Sequence, residues 1–442
     1  MDDLTRREFL RLGAGTCLAI GTSTIQGCGG EEDNNWGGPN SEGATVHVLP
    51  GDNLAALYKM GGDAAQALGI NAGRKLSGTR IFIKPNLFSM GSVPFMPFRP
   101  RSGEVTKAEV IVGIAEQCLM AGADKVTIGD AANGMNWNWK EIAFFPGNTI
   151  FGTTNIHDAV ESLRAAFPSQ EIELSCLNSV NQWEFLPSSS DDDVMRDGLK
   201  VARSFCEADH VISVPVIKNH FQADLSCSMK NFVGAVTSMP PFGTTMVRDK
   251  LHMAYANTTI AGFKKAGIAG CFIDICRWRN EAGKEDFAIV DCSICLEGTG
   301  PMAAPGLGKR VDLKNRCPLG KYFLLASEDL AAADATAARL TNQIDNNVKQ
   351  LLMAENLRLG EINNVTLSGA TLEEIRVDDW EPLSFRLPEW GVSSTMPDMN
   401  GGSALRRESC VINTLVGLSL PAFAIYFLRR FRRKNETLQE GR

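Results

Sequence analysis

From Thr45 onward the chain alternates two patterns. Short runs rich in β-branched and apolar residues read as strands over 45–49, 80–84, 125–129, 171–174, 210–215, 270–275, 287–290 and 322–326. Between them lie stretches in which apolar residues return every three or four positions, the period of a helix with one buried face: 53–68, 107–121, 157–166, 258–266 and 329–340. Such alternation, with apolar strands, predicts an α/β fold: a mostly parallel sheet sandwiched by helices, in one large domain with loop insertions. The insertions are 88–103 and 131–155, rich in Gly, Pro, Asn, Phe and Trp, each after a strand, where α/β proteins keep functional loops. Residues 341–409 are less regular, and 346–409 reads as a C-terminal cap or extension to an α/β domain over 45–345. No repeat with a period of 20–50 residues is evident.

The two ends break this pattern. Thr5-Arg6-Arg7-Glu8-Phe9-Leu10-Arg11, followed by a short run from Leu12 to Ile25 diluted with Gly and Thr, has the layout of a twin-arginine export signal. The run is too short to span a bilayer stably. It ends at Gln26-Gly27-Cys28, where Cys28 is the candidate acylated residue of a lipoprotein-type signal. Residues 1–28 are therefore expected to be the signal, 29–44 a flexible linker, and the twin-arginine export machinery a partner. At the other end, the apolar stretch 410–428 is long enough to cross a membrane, and Arg429, Arg430, Arg432, Arg433 and Lys434 follow at once. The positive-inside rule places that tail in the cytoplasm and the body outside it. Two readings of 410–434 stay open: a retained transmembrane anchor, or a sorting signal removed on surface attachment. Either predicts an extracytoplasmic, periplasmic protein anchored to the membrane.

Composition sharpens the body. The 442 residues are 44% hydrophobic and 21% charged, with a net charge of −7, which excludes disordered, collagen-like and polytopic membrane chains. The first 28 residues balance to zero and the last 33 carry +4, so the stretch between them holds −11. An acidic body argues against nucleic acid as a partner. Setting Cys17, Cys28 and Cys410 aside leaves nine of the twelve cysteines in the body, an odd number, so full pairing leaves at least one free or metal-bound. Cys292-Ser293-Ile294-Cys295 is a CxxC with Cys271, Cys276 and Cys317 near it in sequence. The spacing is irregular and no ferredoxin-type run exists. Metal ligation by Cys292 and Cys295 therefore stands beside disulfides, which an oxidising periplasm permits, and buried free thiols.

The candidate chemistry follows the strands. Lys84-Pro85-Asn86 closes the second, Gly129-Asp130 the third, and Lys218-Asn219-His220 the fifth, with Lys230-Asn231 and Gly234 a little further on. Asp291 and Glu297-Gly298 follow the seventh. In an open α/β sheet, ligands bind beyond the carboxyl ends of the strands, so these residues are expected to converge. Lysines of this kind neutralise a phosphate or carboxylate. Lys84, Asn86, Lys230 and Asn231 are the candidate substrate-binding residues, and His220, Lys218, Asp291 and Glu297 the candidates for proton transfer and catalysis. Asp130 is a candidate ligand for a divalent metal, and equally a helix cap. Each also has a structural reading, such as a strand-end surface lysine or a core histidine. Trp137-Asn138-Trp139 offers rings for stacking. Gly129-x-x-x-x-Gly134 lacks the Lys-Ser/Thr of a phosphate loop, and no Gly-x-Ser-x-Gly or His-Glu-x-x-His pattern occurs.

The order of these pieces resembles domain-of-unknown-function family 362. The similarity runs from Ile81-Phe82-Ile83-Lys84-Pro85-Asn86-Leu87 and Val126-Thr127-Ile128-Gly129-Asp130 through Val211 to His220, where the family has an apolar strand and then Lys-x-His. Ser228-Met229-Lys230-Asn231-Phe232-Val233-Gly234, His252, Ile273-Asp274, Asp291, Glu297-Gly298-x-Gly300-Pro301 and Ala332-Ala333-Asp334 follow in the family's order, over roughly 45–345. One departure is Cys292, where the family usually has Gly. The resemblance implies an α/β fold, a shared polar site and a frequent association with iron–sulfur proteins, but no settled activity. Three functions stay open. The first is an enzyme acting on a small anionic substrate, with or without a divalent metal. The second is a redox or iron–sulfur accessory protein, and the third a binding module without chemistry.

Overall fold

Ile81-Phe82-Ile83-Lys84 shows how the sheet sorts its residues. Successive side chains of a strand point to opposite faces, and Ile81 and Ile83 enter one hydrophobic core while Phe82 enters the other. Lys84 is sent to the Phe82 face and is buried. The structure is a computed structural model that describes residues 43–71, 76–87, 103–131, 138–178, 183–186, 199–220, 223–236, 259–260, 263–264, 267–301, 303, 308–343 and 348–383.

The first half of the chain lays down β1 (Ala44–Gly51), α1 (Leu57–Ala67), β2 (Arg80–Pro85), α2 (Ala108–Met120), β3 (Lys125–Asp130), α3 (Ile156–Ala166) and β4 (Glu171–Cys176). A small ribbon, β5 (Trp183–Leu186) with β6 (Leu199–Ala202), and a short α4 (Arg203–Glu207) lead into β7 (His210–Val214), β8 (Val216–His220) and β9 (Asp224–Ser226). After a 3-10 turn at Lys230–Ala235 come β10 (Thr259–Ile260), β11 (Phe263–Lys264), α5 (Gly267–Glu281) and the long β12 (Glu285–Gly298). The remainder is β13 (Gly308–Asp312), β14 (Tyr322–Ser327), α6 (Leu330–Leu340), α7 (Lys349–Asn356), β15 (Val365–Ser368) and α8 (Leu372–Ile375).

Eleven strands join one sheet in the order β15-β1-β14-β12-β7-β2-β3-β4, with β13 and the β8–β9 pair attached to β12. Only β9, β13 and β14 run against the others, so the sheet is mixed but mostly parallel, as the sequence pattern predicts. Helices α1, α2 and α3 cover one face and α5, α6 and α7 the other. On the first side Gly113 lets α2 press against α1, since a Cβ there would collide with the Tyr58 carbonyl oxygen. On the second, Phe82, Phe205 and Phe232 form a chain of edge-on rings with centroids 5.5 and 5.1 Å apart. Each fully buried ring contributes on the order of 2–3 kcal/mol. The stack also fixes the turn at Lys230–Ala235 beneath the sheet.

Lys218 and His220, expected after a strand ending at 215, lie within β8, and Asp291 and Glu297, expected after one ending at 290, lie within β12; two further stretches change type altogether. Residues 270–275, read as a strand, lie inside α5, with Cys271, Phe272, Ile273, Ile275 and Cys276 all buried. A short apolar run looks the same in a buried strand and in a helix buried on most sides. Residues 258–266, read as a helix, contain β10 and β11, paired with Thr259 opposite Lys264 and Ile260 opposite Phe263. Thr and Ile favour strands there, and Gly262 lowers helix propensity.

β12 carries a discontinuity that shapes the site. Its register with β8 jumps from Asp291↔Val216 to Leu296↔Lys218, so five steps on β12 face two on β8. The four residues Cys292 to Cys295, opposite Ile217 alone on β8, bulge where β12 leaves β7 and β14 and enters the β8–β9 and β13 pairings. Residues 349–380 wrap back to the body, β15 adding an edge strand beside β1. Among the described residues no helix is long and apolar enough to cross a membrane. The export signal, Cys28, His252, Trp137 and the stretch 410–434 lie outside the described residues.

Candidate active site at the strand ends

Lys84 and Asp130, ending the neighbouring parallel strands β2 and β3, form a buried ion pair with Nζ 2.5 Å from Oδ1. The remaining capacity of the carboxylate is used by the backbone. Ala131 N donates to Oδ1 at 2.9 Å and Leu87 N to Oδ2 at 2.8 Å. Lys84 Nζ also donates to the Pro85 carbonyl at 2.7 Å and reaches Asn231 Oδ1 at 3.4 Å. Asn231 returns two bonds from its Nδ2, to the Lys84 carbonyl at 2.6 Å and to Ser213 Oγ at 3.1 Å. Gly234 closes this corner: its carbonyl accepts from Ala131 N, and a Cβ there would land on Asp130 Oδ1 and 2.5 Å from Lys84 Nζ. The glycine is required by close approach to the ion pair.

Lys218 and His220 alternate with Asn219 along β8 and so share a face of that strand. Lys218 Nζ donates to the Glu104 carbonyl at 2.8 Å and to Asn86 Oδ1 at 3.3 Å. Asn86 is itself held by Thr106, whose hydroxyl accepts from Asn86 N at 2.9 Å. Burial pushes the Lys218 ammonium down to about 8, with Lys107 and Lys84 adding to the depression and the carboxylates of Glu104 and Asp130 opposing it. His220 ends the strand, buried, its Nδ1 accepting from Ala223 N at 3.3 Å. That bond leaves the proton of the neutral ring on Nε2. Lys230 is half-buried, one residue before Asn231.

Asp291 lies on the β12 side of the cluster, already engaged. Its Oδ2 accepts from Lys107 N at 3.0 Å, at the start of α2, and lies 3.3 Å from Lys107 Nζ. Its Oδ1 accepts from the Ser293 hydroxyl and backbone N–H. Lys107 Nζ reaches onward to the Ile294 carbonyl in the bulge at 2.5 Å. Glu297 keeps different company. Arg316 bonds both its oxygens at 3.2 and 3.3 Å, Lys309 lies 3.4 Å away, and Glu381 N donates to Oε2 at 2.9 Å. The structure thus brings Lys84, Asp130, Asn231, Asn86 and Lys218 together, sets Asp291 beside them in its own pair, and gives Glu297 to a clasp on the C-terminal segment.

Sequence reasoning missed Lys107 and Glu104, both buried. They follow the Phe- and Pro-rich insertion and read as ordinary charges at a helix start. It also undervalued Asp334 on α6, which accepts from Ser228 N at 2.6 Å and Met229 N at 3.3 Å, and which burial pushes up to about 6. Its place in the family order was the one available signal.

A metal or iron–sulfur centre is tested by the donors. All nine described cysteines are free thiols. Burial pushes Cys292 and Cys295 above the ordinary thiol range, and their sulfurs face the carbonyls of Val290 and Asp291 at 3.6 and 3.7 Å. Among the described residues no three His, Cys, Asp or Glu side chains converge to hold a metal ion. Asp130 is committed to Lys84 and two backbone donors. The described donors do not fit an iron–sulfur or divalent-metal centre.

Fold and site together define an α/β protein with a buried lysine–carboxylate cluster at the carboxyl ends of parallel strands. The chain belongs to the family described as a domain of unknown function, DUF362, whose model matches residues 81–339, more than half of the chain. Among curated proteins no sequence matches it. A solved structure from Thermotoga maritima aligns with a TM-score of 0.33 and 10% identity, over 67% of this chain and 61% of that one. This chain therefore spans less than two thirds of that protein's length, and so slight a likeness carries no argument.

Proposed function

We propose that this chain is an extracytoplasmic, membrane-tethered enzyme that binds a small anion, a phosphate or carboxylate compound, at the lysine cluster and exchanges a proton with it through Lys218, assisted by His220. The observation that carries this reading is Lys218 itself: a buried ammonium at a strand end, held by Asn86 and the Glu104 carbonyl and lowered to about 8. An amine in that range is mostly charged at neutral pH, yet gives up its proton far more readily than an ordinary lysine. It can therefore attract an anion and serve as acid or base towards it. Lys84, Asp130 and Asn231 supply the fixed frame on one side, and Lys107 with Asp291 on the other. The twin-arginine pattern, Cys28 and the 410–434 layout support the location.

Calorimetric titration of the full chain with inorganic phosphate and with short carboxylates, in two buffers of different ionisation heat, tests this. Binding at pH 8 is expected to take up protons, because an anion raises the Lys218 pKa. Binding of neither ligand class, or binding without proton uptake, contradicts it.

A further inference from the structure

Asn219 faces away from Lys218 and His220 on the same strand, and its amide is saturated. Its Nδ2 donates to the carbonyls of Gly298 and Glu381 at 3.0 and 2.9 Å. Its Oδ1 accepts from Trp380 Nε1 at 3.0 Å and Gln343 Nε2 at 3.1 Å. A carboxamide has two donors and two acceptor lone pairs, and all four are used. Because an indole N–H can only donate, the orientation of the amide is fixed as well. Asn219 is 1% exposed and Trp380 6%. Three of the four partner groups belong to Gln343, Trp380 and Glu381, beyond the 81–339 stretch that matches the family. The same segment is bonded along its course: Leu319 N to the Glu374 carbonyl, Val377 N to the Leu340 carbonyl, Gly298 N to the Glu381 carbonyl, and Arg316 Nη2 to the Asp379 carbonyl.

We propose that residues 377–381 form a latch in which Asn219 and Trp380 are positioning residues: by clamping the outer face of β8, this segment outside the family match holds Lys218 and His220 in the dry position their proton exchange requires. The inference rests on the reading of Lys218 given above. A strand end held on one face by three chain segments cannot swing outward on the other. Releasing it admits water to the Lys218 side, and desolvation is the main cause of the Lys218 depression.

The test follows the Cε signal of Lys218 by NMR on 13C-lysine-labelled full-length protein from pH 6 to 11, assigned with Lys218→Arg, in the wild type and in Trp380→Phe. Phe keeps most of the ring packing and deletes the indole donor. The expected result is a Lys218 midpoint raised by a full pH unit or more, towards 10.5, while the buried Cys292 and Cys295 stay unreactive to alkylation. A midpoint unchanged in Trp380→Phe overturns the latch. If that variant does not fold, Gln343→Met removes the other donor to the same oxygen and is read in the same way. A wild-type midpoint already near 10.5 instead overturns the reading of Lys218, so the two failures are distinguishable.

Discussion

The Lys84–Lys218 cluster and the Glu297 clasp are both charged groups beside strand ends, yet they are built oppositely. In the clasp, the buried carboxylate of Glu297 is met by cations that reach solvent, Arg316 at 22% exposure and Lys309 at 64%, so solvent shares the positive charge. The arrangement ties residues 379 and 381 to β12 and has the character of a structural fastening. In the cluster, Lys84, Lys107 and Lys218 are each at most 1% exposed. Lys84 and Lys107 are each fastened to a carboxylate. Burial pushes the Lys218 ammonium down to about 8. A buried charge lowers stability unless its partners offset the lost hydration. A charge held at such a cost points to function, and one shared with solvent points to architecture.

The largest effect is expected at the Lys84–Asp130 ion pair. Replacing Asp130 by Ala leaves Lys84 buried without its carboxylate, and should cost about 3–5 kcal/mol in urea unfolding. Gly234→Ala, which forces a methyl group onto the same pair, should cost about 1–3 kcal/mol. Lys218→Met should do the reverse of Asp130→Ala: abolish anion binding while leaving unfolding free energy at neutral pH unchanged or higher. The pH dependence supplies the sign. Between the folded value of about 8 and the unfolded value of 10.5, the unfolded chain binds more protons at Lys218. Wild-type stability relative to Lys218→Met should therefore rise with pH across that window, by about 3 kcal/mol in all. Glu297→Gln should have the smallest effect, about 1–2 kcal/mol of stability with anion affinity unchanged.

How much of this was legible in the sequence depended on the range of the signal. The apolar runs that lead into Lys84, Asp130 and Lys218 announce themselves locally, each with a polar stop. Their convergence follows from parallel strands sharing one carboxyl edge. Residues 270–275 read as a strand in the sequence because local apolarity does not distinguish a buried strand from a buried helix. Lys107 was invisible because its partners are supplied from far along the chain, by the β12 bulge that places the Ile294 carbonyl and Asp291 over the start of α2, and Glu104 because its carboxylate accepts from Ala303 N. The CxxC suggested redox chemistry or metal. The structure instead places it in that bulge, two thiols facing backbone carbonyls. Asn219 stood in plain view between two candidates, but three of its four partner groups lie more than 120 residues further along.

The most direct test of the central claim is phosphate and carboxylate affinity measured side by side in Lys218→Met and Glu297→Gln. A loss of tenfold or more is expected in the first, with no loss of its stability, and wild-type affinity in the second. Equal affinity in the two variants would contradict that claim.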